Sequence, residues 1–430
     1  MSEGRRTQED LIQVEYELYA LMLEERTRER RKDADAVAAQ FLGVSKADLI
    51  SVDQDLSASD IMSVQLLIAQ QARGVDPALL TGADASTSVT WSTVELGKER
   101  VRVPSYVSIP FHAGAVAEAP LYVRTWPKNN GMNLHISVIA RRSDEAIAAR
   151  YIESLVKDAR GPRSPFLHRL VEASAGTYGL ALRLVELERT ERDSLILPDI
   201  VWESVYRNID RMFERMERLR AAGLGTNRGM ILAGPPGTGK SALCRALAHD
   251  YEGRATVAIV SASAGQYVLG HLYERLDALG PSLVLIEDLD LLVGDREDRE
   301  RFPLIQFLTV LDGLMTHHTR VVTVATTNDA DLVDAAATRA ARFDQVVKLQ
   351  LPDAATRAAI LELYLRKLDH EADFQALAAE SKGFSGADLR EVVRSAVLDA
   401  QGSVITQRDL HAALLLRQSH RAGVPVGSYL

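Results

Sequence analysis

The sequence feature that most constrains the fold is a glycine-rich loop near the middle of the chain. Gly234-Pro-Pro-Gly-Thr-Gly-Lys240-Ser241 follows a short apolar strand, predicted over 229–233, and leads into a helix predicted over 242–249. In such a loop the backbone N–H groups and the partial positive charge of the helix N-terminus converge on phosphate oxygens. Lys240 would reach the β- and γ-phosphates, and Ser241 would coordinate Mg²⁺. The loop predicts an α/β fold with a P-loop parallel sheet and helices on both faces.

We expect the whole loop to contact the nucleotide. The predicted binding residues are Gly234, Pro235, Pro236, Gly237, Thr238, Gly239, Lys240, Ser241 and Ala242.

A second signal is an apolar strand that ends in two acids. The run 282–286 is bounded by Gly280-Pro281 and ends in Glu287-Asp288, 47 residues after Lys240. One carboxylate at such a strand end can hold the Mg²⁺ shell, and a second can orient an attacking water. We assign the metal to Glu287, together with Ser241, and the water to Asp288.

From about 199 to 417 the chain resembles an AAA+ ATPase of the AAA clade proper. The resemblance covers about half of the chain, and its motifs occur in the family's order. After the phosphate loop come a Walker B-like strand end at 283–290, a helix end at 306–313, a sensor-1-like strand at 324–328, an arginine pair at 339–344, the start of a helical lid at 351–357 and a lid turn at 383–389.

The resemblance implies roles for residues beyond the phosphate loop. Asn328 would touch the γ-phosphate or the attacking water, and Gly386 and Ala387 would lie near the adenine. Arg339 and Arg342 would act as arginine fingers on the ATP of a neighbouring subunit, where they stabilise developing charge. A monomer would leave these arginines without a substrate, so the resemblance implies a homo-oligomeric ring, most simply a hexamer, with ATP and Mg²⁺ bound.

The sequence departs from the family pattern at three places. The family usually has Asp before Glu at Walker B, whereas this chain has Glu287 before Asp288, and Ala-Ala stands between the arginines where Pro-Gly is common. The family's pore-loop aromatic lies two residues before a glycine, but Tyr267 lies three before Gly270. Tyr267 is therefore a candidate substrate contact or a packed loop residue.

The pattern along the chain predicts five segments. We expect a helical region over 1–75, including a helix that Ser45 caps, and then a linker over 76–88. A small α+β domain over 88–190 is predicted from alternating runs, a hairpin at Asn130-Gly131, a helix over 144–157 and a strand over 180–188. The remaining predicted segments are an AAA+ α/β subdomain over 199–350, a helical lid over 351–417 and a flexible tail over 418–430.

Residues 39–52 have the spacing of a helix-turn-helix, with Gly43 at the turn. A helix that reads DNA presents Arg, Lys, Asn or Gln to the bases, whereas this one offers Asp48, Asp53 and Asp55, which repel phosphate. We therefore interpret the region as a plain helical bundle and expect no nucleic-acid partner.

The last residues, Tyr429 and Leu430, resemble the docking tail of actinobacterial proteasomal ATPases. In that family the penultimate tyrosine packs into a pocket between subunits of a proteasome core particle. The resemblance makes a core particle a candidate partner, and the alternative is a disordered end.

Composition limits the class of protein. The 430 residues carry 50 basic and 59 acidic side chains and one cysteine, Cys244, which excludes a disulfide framework and a strongly basic chain. No apolar run reaches the length of about 18 residues that a membrane span needs, and the charged N-terminus lacks the apolar core of a signal peptide, so we expect a cytoplasmic protein.

The sequence predicts ATP-driven remodelling or unfolding of a protein partner by a ring, with residues 1–190 selecting the substrate or adaptor. A slow ATPase that serves as a nucleotide-dependent scaffold or switch, and assembles with a partner through its N-terminal helices, is the alternative; the transposed acids and the shifted pore aromatic favour it. A DNA-linked ATPase is a third class that rests only on the helix-turn-helix spacing.

Overall fold

The computed structural model describes residues 34–85, 89–128, 133–176, 179–187, 192–223, 228–260, 265–289, 320–328 and 343–421. The chain divides into two compact units, residues 1–165 and 166–430. The motif at 306–313, the arginines Arg339 and Arg342, and the tail residues Tyr429 and Leu430 lie outside the described residues.

The first unit is built on a five-stranded antiparallel sheet with the strand order β1-β5-β4-β3-β2. Helices α2 and α3 pack on one face, and helix α1, residues 34–42, packs through Ala38 and Leu42 on the other. The elements are β1 (Leu49–Leu56), α2 (Ala58–Ala72), β2 (Thr90–Leu96), β3 (Glu99–Phe111), β4 (Leu121–Lys128), β5 (Asn133–Arg141) and α3 (Glu145–Arg160).

Successive side chains of each strand point to opposite faces, which lets helices pack on both sides of this sheet. In β4, Leu121 and Val123 join the core under α2 and α3, while Tyr122 between them faces α1. Strands β4 and β5 pair up to Lys128↔Asn133, which confirms the predicted hairpin across Asn130-Gly131.

The predicted helix that Ser45 would cap is wrong. Ser45 precedes a single 3₁₀ turn (Lys46–Asp48), and strand β1 then pairs with β5 along its whole length, from Leu49↔Arg141 to Leu56↔Leu134. Polar and apolar residues do not alternate strictly along β1, since Asp53, Gln54 and Asp55 are consecutive, so the strand depends on its pairing with β5 rather than on a local pattern. Both interpretations of residues 39–52 therefore fail, the plain helical bundle that we preferred and the helix-turn-helix, since the second helix of each is a strand.

The predicted linker over 76–88 does not separate two domains. Thr81 bridges to Ser108 on β3 with backbone hydrogen bonds of 3.3 and 2.7 Å, so the segment is part of the same unit. The boundaries at 75 and 88 are corrected accordingly, because β1 and α2 belong to the core that β3, β4 and β5 form.

The second unit begins with a seven-stranded sheet of order β12-β8-β11-β10-β9-β6-β7. All its neighbouring strands are parallel except β7, which pairs antiparallel with β6. The elements are β6 (Leu170–Gly176), β7 (Gly179–Leu184), α4 (Asp199–Ala221), β8 (Arg228–Ala233), α5 (Lys240–Tyr251), β9 (Thr256–Val260), α6 (Gly265–Ala278), β10 (Ser282–Ile286), β11 (Val321–Thr327) and β12 (Phe343–Lys348).

Strands β6 and β7 correct the predicted end of the small α+β domain at 190. Strand β6 pairs in parallel with β9, from Leu170↔Val257 to Ala173↔Val260, and so extends the nucleotide-binding sheet. Without this hairpin the edge of β9 would present unpaired backbone groups. The local sequence predicts a strand but not which sheet it joins, because that choice depends on a distant partner.

Four helices follow the sheet, which confirms the predicted helical lid. They are α7 (Ala354–Leu365), α8 (Phe374–Glu380), α9 (Gly386–Asp399) and α10 (Gln407–Arg421). Leu361, Leu377, Leu389 and Leu410 meet in their common core. Helix α10 continues four residues past the predicted lid end at 417.

Among the described helices, none combines the length and the apolar composition that crossing a bilayer requires.

Candidate nucleotide-binding site

The candidate site is a cleft of about 630 Å³ in the second unit, at the carboxyl ends of β8, β10 and β11. Open parallel sheets bind ligands at this edge. Its lining combines the phosphate loop and the ends of two strands with lid residues from α7 and the start of α9. The predicted site residues that line it are Pro236, Gly237, Thr238, Gly239, Lys240, Ser241, Ala242, Asp288, Asn328, Gly386 and Ala387.

The phosphate loop holds its lysine inside the loop. Lys240 is 5% exposed, and its Nζ donates hydrogen bonds of 2.7 and 3.0 Å to the carbonyl oxygens of Gly234 and Pro235. Gly237 and Gly239 have φ angles of +77° and +100°, which residues other than glycine rarely adopt. The loop thus makes a tight turn directly before the N-terminus of α5, where backbone N–H groups can bind phosphate.

Gly234 is needed for a different reason, the close approach of another segment. A Cβ atom on Gly234 would lie 2.1 Å from the carbonyl oxygen of Leu349, whose N–H donates a 2.7 Å bond to the Ala233 carbonyl. The chain leaving β12 therefore crosses directly over the start of the loop.

The acidic strand end presents Asp288 to the cleft. Asp288 lines the cleft and has a φ of +50°, and its N–H donates a 2.9 Å bond to the hydroxyl of Thr326 on β11. A left-handed conformation is uncommon for a residue other than glycine and is often found at functional sites. The Thr326 hydroxyl thus fixes the peptide that carries the candidate water-orienting carboxylate.

Glu287 is half-buried and, unlike its neighbour Asp288, does not belong to the cleft lining. Burial raises the pKa of the Glu287 carboxyl, the charge of Arg245 opposes this rise, and the carboxylate of Asp288 adds to it. Arg245 lines the cleft one turn after Ser241 on α5. Hydroxyl and carboxylate oxygens are the hard ligands that Mg²⁺ takes alongside substrate phosphates, and of the two predicted ligands Ser241 lines the cleft and Glu287 does not.

Two features of this region escaped the sequence analysis. One is Thr326, whose role depends on the register between β10 and β11. The other is an apolar wall from the segment before α4, where Leu195 and Leu197 come within 3.1 and 3.4 Å of the Cβ position of Gly239. The apolar run Leu195-Ile-Leu-Pro198 could have indicated this wall, since ligand pockets are lined mostly by hydrophobic side chains.

The lid turn contacts the phosphate loop. Ser385 caps α9 in a capping box with Asp388, and the N–H of Ala387 donates a 3.2 Å bond to the carbonyl oxygen of Gly237. A Cβ on Gly237 would lie 2.6 Å from the Ser385 hydroxyl. The two predicted lid residues, Gly386 and Ala387, are thus brought to the loop that the sequence predicts to bind phosphate.

Two further residues that the sequence singles out, Tyr267 and Cys244, lie on helices of the second unit. Tyr267 lies in the first turn of α6 rather than in a loop. Cys244 is a buried thiol on α5 whose pKa is raised by burial, which agrees with a packing residue.

Two sequence profiles match the second unit. The family described as "ATPase family associated with various cellular activities (AAA)" matches residues 230–351, and the "AAA+ lid domain" matches residues 371–411. A phosphate loop, an acidic strand end and a helical lid around one cleft define a nucleotide-binding module of the P-loop class. Residues 230–351 and 371–411 thus carry the sequence of an AAA+ ATPase module and its lid.

Curated relatives agree with this assignment. The chain is 38% identical over 218 residues to the ATP-dependent zinc metalloprotease FtsH 3 of Sphaerobacter thermophilus, covering 46% of this chain and 44% of that protein. The corresponding values are 37% over 222 residues for FtsH 2 of Sorangium cellulosum, with 46% and 36% covered. The Cell division cycle protein 48 homolog of Archaeoglobus fulgidus is 30% identical over 258 residues, with 55% and 35% covered.

The chain thus spans less than half the length of these relatives. The similarity covers 46–55% of this chain. The 430 residues contain no His-Glu-x-x-His, the zinc-binding pattern of metalloproteases.

Proposed function

We propose that the chain binds ATP with Mg²⁺ in this cleft, hydrolyses it, and uses the energy to remodel or unfold a protein partner as a homo-oligomeric ring. One observation carries the proposal: the phosphate loop, Asp288, Asn328 and the lid turn, which are far apart in sequence, line the same cleft. The curated relatives, two of which are named ATP-dependent, support it.

Each residue has a role in the proposal. Lys240 would exchange its two loop carbonyls for β- and γ-phosphate oxygens, and Ser241 and Glu287 would hold the Mg²⁺, whose charge would offset that of the phosphates. Asp288 accepts a proton from the attacking water, and Asn328 orients that water or the γ-phosphate. The lid turn closes over the base with the apolar wall of Leu195 and Leu197.

The finer assignments rest on the sequence resemblance. Arg339 and Arg342 act on a neighbour's ATP in a hexameric ring, and Tyr267 contacts the polypeptide substrate. The first unit selects the substrate or adaptor. Tyr429 and Leu430 dock on a proteasome core particle, and deleting residues 428–430 would then abolish co-sedimentation with the core particle while leaving ATPase activity intact.

Nucleotide binding and turnover by Lys240→Ala test the central proposal. The variant removes the ammonium that faces the phosphates, so we expect loss of binding or turnover. Lys367→Ala is the matched control, because Lys367 is exposed on the lid surface. Wild-type hydrolysis by Lys240→Ala would contradict the whole nucleotide assignment.

A pair of isosteric substitutions tests the roles assigned to Glu287 and Asp288. We expect Asp288→Asn to keep ATP binding and stall hydrolysis, because an amide cannot accept the proton of water. Glu287→Gln should instead weaken the Mg²⁺ dependence. A fully active Asp288→Asn beside a trapped Glu287→Gln would reverse the two roles.

A slow ATPase that acts as a scaffold or switch is a second candidate, favoured by the transposed acids and by the shifted position of the pore-loop aromatic, Tyr267. Turnover measured with and without an unfolded protein separates the two. Stimulation by the unfolded protein supports remodelling, and slow, unresponsive turnover supports the switch.

A further inference from the structure

A buried carboxylate in the lid gathers donors from two different elements. Both oxygens of Asp388, whose side chain is 11% exposed, accept hydrogen bonds. Ser385 donates to Oδ2 from its N–H at 2.9 Å and from its hydroxyl at 2.8 Å. Arg417 of helix α10 donates to Oδ1 from Nε at 3.0 Å and from Nη2 at 2.8 Å.

Arg421, in the last turn of α10, makes further contacts with the lid turn. Arg421 Nη1 donates to the Gly383 carbonyl at 2.8 Å and approaches Asp388 Oδ2 at 3.3 Å. Its guanidinium lies 5.1 Å from the ring centroid of Phe384, which is buried. Residues 383–388 are therefore attached to the end of α10 by ionic, hydrogen-bonding and cation–π contacts.

The opposite side of this turn faces the phosphate loop. The Ala387 N–H donates to the Gly237 carbonyl, and the Cβ position of Gly237 lies 2.8 Å from the Ala387 Cβ and 2.6 Å from the Ser385 hydroxyl. The turn has no spare room there, so a shift of Ser385–Asp388 changes the contact with the loop. Packed interfaces of this kind move between discrete arrangements rather than deforming smoothly.

The carboxyl group of Asp388 stays charged, so its pairing with Arg417 persists at neutral pH. Burial alone would raise the pKa of its carboxyl, but the donors from Ser385 and Arg417 and the charge of Arg421 outweigh burial and hold the pKa below its usual value. The carboxylate stays ionised at neutral pH, and a charge-assisted guanidinium pair specifies direction as well as distance.

We propose that Arg417 and Arg421 are positioning residues for nucleotide binding: they hold the lid turn Ser385–Asp388 against the phosphate loop, so the C-terminal helix and the nucleotide stabilise each other. The inference rests on the proposed nucleotide site. Coupling between two sites is reciprocal, so a nucleotide that uses the turn must in return tighten the end of α10.

Arg417→Ala tests the first half of the proposal. We expect the dissociation constant for ADP, measured by calorimetry on the full chain, to rise about 5- to 10-fold, near the low end of typical coupling between sites. Arg417→Lys keeps one charged donor, so it should fall between Arg417→Ala and the wild type. Arg394→Ala is the matched control, because Arg394 is a lid arginine on α9 that is 70% exposed and pairs with Glu391 at 3.7 Å.

Hydrogen exchange tests the reciprocal half. ADP should slow amide exchange over 414–421 in the wild type and in Arg394→Ala, and it should do so less in Arg417→Ala. Absence of any ADP effect on 414–421 in the wild type, with ADP bound, would overturn the reciprocal coupling.

The remaining outcomes separate this inference from the proposed function. If the wild type binds no nucleotide, the proposed function fails. If the wild type binds ADP and a folded Arg417→Ala binds it equally well, the positioning role fails while the nucleotide site stands. If Arg417→Ala does not fold, Arg417→Lys and Arg421→Ala decide, and wild-type affinity in both overturns the proposal.

Discussion

Thr326 shows how one hydroxyl can determine the geometry of a candidate reacting group. It accepts the N–H of Asp288, whose left-handed backbone would cost about 1–3 kcal/mol without support from its surroundings. Asp288 faces the cleft from the end of β10. The conformation of the acid thus depends on a side chain of the neighbouring strand.

We predict that Thr326→Val lowers kcat about tenfold, which corresponds to a barrier about 1.4 kcal/mol higher, and leaves the dissociation constant for nucleotide near the wild-type value. Valine removes the acceptor, so the Asp288 peptide relaxes away from its position. Steady-state ATPase assays and calorimetry measure the two quantities.

The same strand provides the control. Thr323 is also a buried β11 threonine, but its hydroxyl pairs at 2.6 Å with that of Tyr273 on α6. Thr323→Val should cost stability without lowering kcat, and Thr326→Ser should restore activity. Equal loss of kcat in both valine variants would argue that Thr326 acts only through stability.

A second residue-scale prediction concerns pH and the first unit. Asp53 on β1 has its pKa lowered from 3.8 to about 2, first by its hydrogen bond with His135 and against the effect of burial. Because the folded pKa is the lower one, its contribution to stability is complete above pH 3.8 and is lost as the pH falls towards about 2.

Asp53→Asn should therefore speed amide exchange of residues 49–56 at pH 5, and the difference from the wild type should shrink at pH 3. Both proteins are compared at the same pH, so the intrinsic exchange rate cancels. Glu153→Gln, at an exposed acid on α3, serves as the control. A difference that stays constant between pH 5 and pH 3 would contradict the assignment to the Asp53 charge.

At the scale of elements, the phosphate loop and the lid turn depend on each other through Gly237. We predict that Gly237→Ala weakens nucleotide binding and, without any nucleotide, speeds amide exchange over 383–390. The new methyl group would push Ser385 and Ala387 away from the loop, and both changes follow from that displacement.

Gly253→Ala separates this clash from backbone strain. Gly253 has a φ of +85°, close to the +77° of Gly237, but its Cβ position has open space around it. We expect a loss of about 1–2 kcal/mol from the left-handed backbone and unchanged exchange over 383–390. Unchanged lid exchange in Gly237→Ala would show that the turn does not depend on the loop.

The sequence predicts elements best where the chemistry is local. The phosphate loop follows from glycines whose φ angles and close contacts exclude other side chains, as at Gly234 and Gly237. Strand β1 was misassigned because its residues lack a strict period of two, and only the pairing with β5 makes the segment a strand. The roles of Thr326, Arg417 and Arg421 depend on contacts across strands and helices, and no local pattern signals such contacts.

At the scale of the whole molecule, the ring is the central proposal. Arg339→Ala and Arg342→Ala subunits should bind ATP normally and fail to hydrolyse it as pure rings, because in the proposed ring these arginines would stabilise developing charge on a neighbour's phosphate. Mixing them with Lys240→Ala subunits, which supply arginines but no working site, should partly restore turnover.

Co-assembly of the two variants is confirmed first, by pull-down through a tag on one of them. With co-assembly shown, a complete lack of recovery would argue against action between subunits. Recovery that rises with the fraction of Lys240→Ala subunits and then falls would support it.

The β6–β7 hairpin and the apolar wall before α4 determine where the ATPase can be cut from the rest of the chain. Family similarity begins at residue 230, but the sheet begins at Leu170 and the cleft wall includes Leu195. A fragment starting at 230 would lose β6, β7, the first two residues of β8 and one wall of the cleft, and the edge of β9 would be open to aggregation. The smallest portion with an intact sheet edge and cleft starts near Phe166, where the second unit begins.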